Sequence, residues 1–530
     1  MSTATMAARE VLTEAARRRT FAVISHPDAG KSTLTEALAL HARVIAEAGA
    51  VHGKAGRKGV VSDWMEMERA RGISITSAAL QFEYRDLVIN LLDTPGHADF
   101  SEDTYRVLSA VDCAVMLLDA AAGLEPQTLK LFDVCRHRGI PVITFINKWD
   151  RPGKHALELC DELESRIGLR PAPLTWPVGE AGHFAGFLDV RGGSMSVFER
   201  APGGARISEE RTLTAAEAER EHGEEWRAAA EEAGLLDRLD LDSFLAGRTT
   251  PLLFGAAVAN IGVRHLLEVL AELAPAPSAR PDVTGREHEL EEPFSGFVFK
   301  VQAGMDPAHR DRVAFVRMCS GKFERGSVLT HAGTGRAFAT KYAQAMFGRD
   351  RETVDVAYPG DIVGLVNASA LRPGDTLHAD GAAVVFPPIP SFAPEHFAVA
   401  RTTDTSKGKQ FRRGIEQLEQ EGVVQVLRSD LRGDAAPILA AVGPLQFEVA
   451  VHRMAREFGA PITLEHLPYS LARATLPRHV PVLDAERGCE VAERADGALL
   501  ALFTDRWRLD SVRRNHPEIS LDPLVADAEQ

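Results

Sequence analysis

The run Ser25-His26-Pro27-Asp28-Ala29-Gly30-Lys31-Ser32-Thr33 follows the spacing G-x-x-x-x-G-K-[ST], with Ser25 in place of the first Gly. A β-rich run precedes it and a helix-forming run follows. In that setting successive backbone N–H groups wrap a polyphosphate at a helix N-terminus, where the dipole favours negative charge. Lys31 would reach the β- and γ-phosphates, and the Ser32 hydroxyl would ligate Mg²⁺. Ser25 at the first position implies a φ that a non-glycine residue tolerates. Taken alone, the run also fits a glycine turn with a chance lysine.

Two further runs narrow the chemistry. Asp93-Thr94-Pro95-Gly96-His97 ends an apolar run, so the Asp93 carboxylate is expected at a strand's C-terminal edge, where open α/β sheets bind ligands. It would hold the metal through water. Gly96 would present its N–H to the γ-phosphate, and His97 would orient an attacking water. With Lys31 supplying charge, His97 and Lys31 are the catalytic candidates. Asn147-Lys148-Trp149-Asp150 ends a later apolar run. The Asp150 carboxylate accepts from the ring N–H and amino group of guanine, a donor pair adenine lacks, and buried polar groups without partners reject the wrong base. Asn147 would contact the base edge and brace the phosphate loop, and the Lys148 stem would cover the ring. In Gly255-Ala256-Ala257 the backbone N–H of Ala257 is a weaker candidate for the guanine carbonyl. The charged run Asp63–Thr76 suits a loop ordered by γ-phosphate and Mg²⁺, with Ser74 as second hydroxyl ligand. An ordinary exposed loop is the plainer reading of it.

The elements that must position these residues are legible as alternating patterns. Strand-like runs at Thr20–Ser25, Leu87–Leu92, Cys113–Leu118 and Pro141–Ile146 alternate with helical runs such as Met6–Arg19, Ser32–Glu47 and Pro126–Arg138. This predicts a parallel sheet covered on both faces. We place an α/β P-loop GTPase domain at 1–280, with an insert at about 160–245 that holds a Gly-rich section and the acidic helical stretch Thr214–Ala233. Short β-type runs between turns predict a small β-barrel at 293–386. A β-α-β-β-α-β order from His396 to Leu467 predicts an α+β ferredoxin-like domain within 392–530, fading after Tyr469.

Bulk composition sets limits. The chain has 530 residues, 45% hydrophobic and 25% charged, enough for several cores. No run approaches a membrane span, and the first twenty residues lack the apolar core of a secretory signal. Five scattered cysteines form no metal or disulfide pattern, which points to a reducing cytoplasm. Net charge is −15, so a partner with many negative charges needs a local basic region. Residues 300–351 offer one, with ten Lys and Arg against four Asp and Glu, unless the run is simply a solvated face.

The motif set resembles the ribosomal translation-factor GTPases, whose Asp-Thr-Pro-Gly is followed by histidine. Within that group the chain resembles the bacterial class II release factors, the peptide chain release factor three family. The likeness takes in Met305–Phe315, Ser320–Phe323, Tyr358–Asp361, Glu421–Val426 and Val442–Phe447. It implies a cytoplasmic, monomeric GTPase that binds GTP and GDP with Mg²⁺, meets ribosomal RNA and ribosomal proteins, and promotes departure of class I release factors after peptide release. It implies that the barrel at 293–386 is elongation-factor-like, and it implies no membrane and no DNA partner. Ser74 stands where many relatives carry Thr, and Ala256 where many GTPases carry Ser. The competing reading is another translational GTPase, a translocase or ribosome-protection factor; this chain is too short for a translocase's further domains. A GTP-binding scaffold that does not hydrolyse is disfavoured by His97.

Overall fold

The computed structural model describes residues 3–42, 78–95, 98–198, 208–303, 312–340, 342–347, 350–366, 370–379, 381–389, 392–433 and 436–524. Gly96, His97 and Ser74 therefore lie outside the described residues, as does the rest of Asp63–Thr76.

Strands β1 (Arg18–Ser25), β2 (Ala78–Tyr84), β3 (Leu87–Asp93), β4 (Cys113–Asp119), β5 (Val142–Asn147), β6 (Arg170–Pro173) and β11 (Thr249–Phe254) form one sheet in the order β2-β3-β1-β4-β5-β11-β6. β1, β4 and β5 are apolar and almost wholly buried, as strands covered by helices on both faces must be. The all-parallel expectation is corrected at one edge, where β2 runs antiparallel to β3. Its signal was a short alternation: Leu80 and Phe82 are buried while Glu83 faces water. The expected helix at Ser32–Glu47 is described as Lys31–His41.

The insert holds structure that composition did not reveal. Strands β7 (Thr175–Glu180), β8 (His183–Asp189), β9 (Met195–Phe198) and β10 (Glu210–Leu213) make an antiparallel sheet. The helix Ala215–Gly234, started by a Thr214–Glu217 capping box, buries Trp226, Ala229 and Ala233, and Glu232 accepts from the Trp176 indole at 3.1 Å.

Residues from Ser295 to His378 build an eight-stranded antiparallel sheet and the short ribbon Phe323–Glu324 with Val356–Ala357. The two end strands are not paired to each other among the described residues, so the barrel is open. Its inner face is apolar, with Val298, Val316, Leu365 and Leu377 in one cluster.

In the last region the strands His396–Thr402, Gln425–Arg428, Ile438–Ala441 and Ile462–His466 alternate with helices Gly408–Gln420 and Pro444–Arg456 in the ferredoxin-like order. The tail does not stand apart. Strand Cys489–Arg494 pairs with Gln425–Arg428, and Leu499–Phe503 and Leu471–Thr475 extend the same sheet to seven strands.

The regions are tied by buried polar contacts. Arg18 pairs with Asp361 at 3.1 Å, and Thr20 donates to the Gly360 carbonyl at 2.7 Å. Arg317 donates to Asp112 at 2.6 Å. No helix among the described residues is long and apolar enough to cross a membrane. All five cysteines are free and buried.

Candidate nucleotide site

The site lies where β1, β3 and β5 end. β1 stops at Ser25, and the chain turns through Asp28 (φ 66°) and Gly30 (φ 98°) into the helix Lys31–His41. Gly30 is required twice. Its φ is left-handed, and a Cβ there would overlap the Asn147 amide nitrogen. Ser25 is buried and its Oγ has no partner among the described residues. His26 Nε2 lies 3.2 Å from Glu125. Pro27, Ala29 and Thr33 complete the loop and first helical turn, and Ser32 begins that turn beside Lys31.

Lys31 and Asp93 meet across the loop. Lys31 Nζ donates to Asp93 Oδ1 at 2.5 Å, both side chains being nearly inaccessible to water. The second Asp93 oxygen, Oδ2, is buried and has no partner among the described residues. Such a charged atom is costly to leave alone, so it points to a cationic partner, direct or through water. Thr94 Oγ1 donates to the Val23 carbonyl at 2.6 Å, which fixes the chain leaving β3 and entering Pro95.

Asn147 acts as a brace. Its Nδ2 donates to the Ala29 carbonyl at 2.8 Å, and its Oδ1 accepts from the Ala257 N–H at 2.9 Å. One side chain thus locks the phosphate loop to the loop after β11. These two bonds use one of the two Nδ2 hydrogens and one of the two Oδ1 lone pairs, so the bracing expected of Asn147 leaves a donor and an acceptor site for a ligand. Lys148 has φ 62° and donates from Nζ to Asp119 Oδ2 at 2.7 Å. Burial opposes the charge on Asp119, yet the Lys148 and backbone donors hold its carboxyl below the usual range. Asp119 was not among the residues singled out from the sequence. Its signal was available, because β4 ends on a carboxylate as β3 does. The Trp149 ring is buried edge-on to Phe254 at 4.8 Å, and the Trp149 backbone N–H donates to the Gly255 carbonyl at 3.0 Å. Asp150 Oδ1 is buried with no partner among the described residues, an acceptor suited to a ligand N–H.

The described donors and acceptors fit a guanine nucleotide with a divalent cation. An ammonium and a row of helix-start amides suit phosphate, an orphaned Asp93 oxygen suits a hydrated cation, and the Asp150 acceptor suits guanine.

Comparison with known proteins agrees in three places along the chain. Residues 16–276 match the elongation factor Tu GTP binding domain, 293–380 match elongation factor G domain 2, and 386–513 match the C-terminal domain of class II release factor RF3. The protein called peptide chain release factor 3 in Synechococcus elongatus is 45% identical, with 98% of this chain and 96% of that one covered. The protein of the same name in Rippkaea orientalis is 47% identical, with 95% of each covered. A crystal structure from Thermus thermophilus shares the fold, with a TM-score of 0.70 at 22% identity over 91% of this chain and 72% of that one.

Proposed function

Because the chain belongs to the peptide chain release factor 3 family, we propose that its GTP hydrolysis drives departure of class I release factors from the ribosome once the peptide has been released. More broadly, it is a ribosome-dependent translational GTPase of termination. The reading as a translocase or protection factor is not favoured, since the 386–513 match is to a release-factor domain. One observation carries the proposal: three strand ends deliver Lys31 with Asp93, Asn147 and Asp150 to one edge of the sheet, on a chain with a release-factor C-terminal domain.

Phosphoryl transfer to water needs positioning and charge neutralisation more than covalent chemistry. Lys31 and the amides of the loop from His26 to Ser32 take the β- and γ-phosphates. Mg²⁺, when bound, would supply positive charge against the phosphate oxygens. Ser32, Ser74 and, through water, Asp93 are the residues that would hold it. Asp150 accepts from the guanine ring N–H and amino group, and the Lys148 stem, pinned by Asp119, covers the ring. His97 orients the attacking water, with Gly96 giving its N–H to the γ-phosphate. We assign the protein to the cytoplasm, as a monomer in contact with ribosomal RNA and ribosomal proteins.

On this reading hydrolysis by the free protein is slow, and ribosome docking completes the site by placing His97. His97→Ala is expected to leave GDP binding nearly unchanged and to abolish the ribosome-stimulated rate in a phosphate-release assay. Turnover equal to wild type would remove His97 from the mechanism.

A further inference from the structure

The tail carries a surface that the nucleotide chemistry does not use. Helix Arg506–Asn515 packs Leu509 and Val512 inward with Phe503 and Leu521. Outward it presents Trp507, which is 62% exposed, whereas Trp149, Trp176 and Trp226 are buried. A bare indole on a surface commonly marks a contact site.

The helix itself is basic. The helix carries Arg506, Arg508, Arg513 and Arg514 against a single acid, Asp510. No carboxylate pairs with any of these four guanidinium groups among the described residues. Arg508 lies over the Trp507 ring at 4.9 Å, and Arg513 donates to the Leu521 carbonyl at 3.0 Å. Arg514, two helical turns on from Trp507, shares its face. The basic run at 300–351 behaves differently. Lys300 lies 3.8 Å from Asp103, Arg317 pairs with Asp112, Lys322 with Glu10 and Arg325 with Asp355, and Arg312 donates to Gln420. Those cations hold the chain to itself.

We infer that the outer face of helix Arg506–Asn515 binds RNA, with Trp507 stacking on an unpaired base and Arg506 and Arg514 meeting the flanking phosphates. An indole offers a π-face to any base, and unpaired guanidinium groups supply the counter-charge. On a chain of net charge −15, such a cationic island is a local feature. An acidic protein would satisfy the arginines but leave the indole without a flat partner, and one indole is too little apolar area for a lipid surface. The inference rests on the ribosomal reading only for the source of the RNA, a single-stranded segment of ribosomal RNA.

The test uses the full chain and a fluorescein-labelled single-stranded RNA 20-mer. Trp507→Ala should weaken binding about tenfold, as expected for one base stack, while Trp507→Phe keeps most of it. Arg506→Ala with Arg514→Ala should flatten the dependence of log affinity on log salt by about 1.4, or ~0.7 for each phosphate no longer neutralised. GDP binding should be unchanged in each variant, which shows that the fold survives. With ribosomes, the Trp507→Ala chain should need more ribosomes for half-maximal stimulation of hydrolysis and reach the same maximal rate. RNA affinity unaffected by Trp507→Ala would overturn the inference, and so would an equal loss of binding to polyglutamate, which has no bases. If the wild-type chain were not stimulated by ribosomes, the functional reading would fail while the RNA titration still decided this surface.

Discussion

Asp150 and Asn147 occupy one strand end and do opposite things. Asp150 keeps a buried acceptor open among the described residues, whereas Asn147 ties two loops of the chain together. Their substitutions should therefore fail differently. Asp150→Asn replaces an acceptor with a group that also donates, and should weaken GTP and GDP binding by roughly a hundredfold or more without moving the melting temperature, since removing a charged hydrogen bond in a specific site costs about 3 kcal/mol. Titration with a fluorescent GDP analogue reads this, and unaltered affinity would remove Asp150 from the base pocket. Asn147→Ala should lower both affinity and stability, the latter by about 1–3 kcal/mol, because the Ala29 carbonyl and Ala257 N–H would be left buried without a partner. Weaker affinity with an unchanged urea midpoint would contradict the bracing role. The motif residues could be read from sequence because their spacing is local. That Asn147 braces the phosphate loop was legible too, but its partners Ala29 and Ala257 were not, because they come to it only through the order of β1, β4, β5 and β11 in the sheet.

At the scale of elements, the segment just after His97 is held by the last region of the chain. The Leu445 N–H, at the start of helix Pro444–Arg456, donates to Asp99 Oδ2 at 2.6 Å, and Phe100 packs with Leu445 and Val449. Gly443 sits so close that a Cβ would overlap the Asp99 carboxylate. Gly443→Ala should thus push this helix off the segment, at a cost of about 1–3 kcal/mol for an overpacked contact. A urea midpoint equal to wild type would show the contact to be slack. The tail is secured by another polar clamp: Arg432 makes two 2.8 Å hydrogen bonds to Glu490, and Tyr469 donates to it at 2.9 Å. Burial opposes the charge on Glu490, but the Arg432 and Tyr469 donors outweigh it and lower its pKa. A lowered carboxylate pKa contributes stability above its unfolded value of 4.5, and the contribution is lost as pH falls through the folded value. Acid titration below that pH should loosen the tail in wild type. In Glu490→Gln the tail should already be weakened at pH 7 and respond less to acid; an identical acid midpoint would show that Glu490 does not drive the loosening. The helices and the β-α-β-β-α-β order were legible from periodicity. The β7–β10 sheet was not, because its strands are short and broken by glycines that read as loop.

Across the whole molecule, the first and middle regions share charges that neither could bury alone. Arg317 is almost fully enclosed and depends on Asp112 and the Ala110 carbonyl of the GTPase region. Asp112→Ala should leave that guanidinium buried and unpaired, costing about 3–5 kcal/mol. In calorimetry the main transition should move down, and an unshifted transition would mean that the two regions are not coupled there. The order of regions followed from changes in composition and pattern along the chain. Their packing did not, since Arg18 with Asp361 and Arg317 with Asp112 join residues hundreds of positions apart. Within the positive balance at 300–351, Lys300, Arg317 and Lys322 meet carboxylates far off in the sequence, at Asp103, Asp112 and Glu10. For the whole molecule at work, the rate at which a labelled class I release factor leaves a post-release ribosome is the most direct test. With this protein and GTP present, departure should accelerate, and His97→Ala should remove the part of that effect that depends on hydrolysis. Departure at the unassisted rate, with tRNA translocation stimulated instead, would contradict the account.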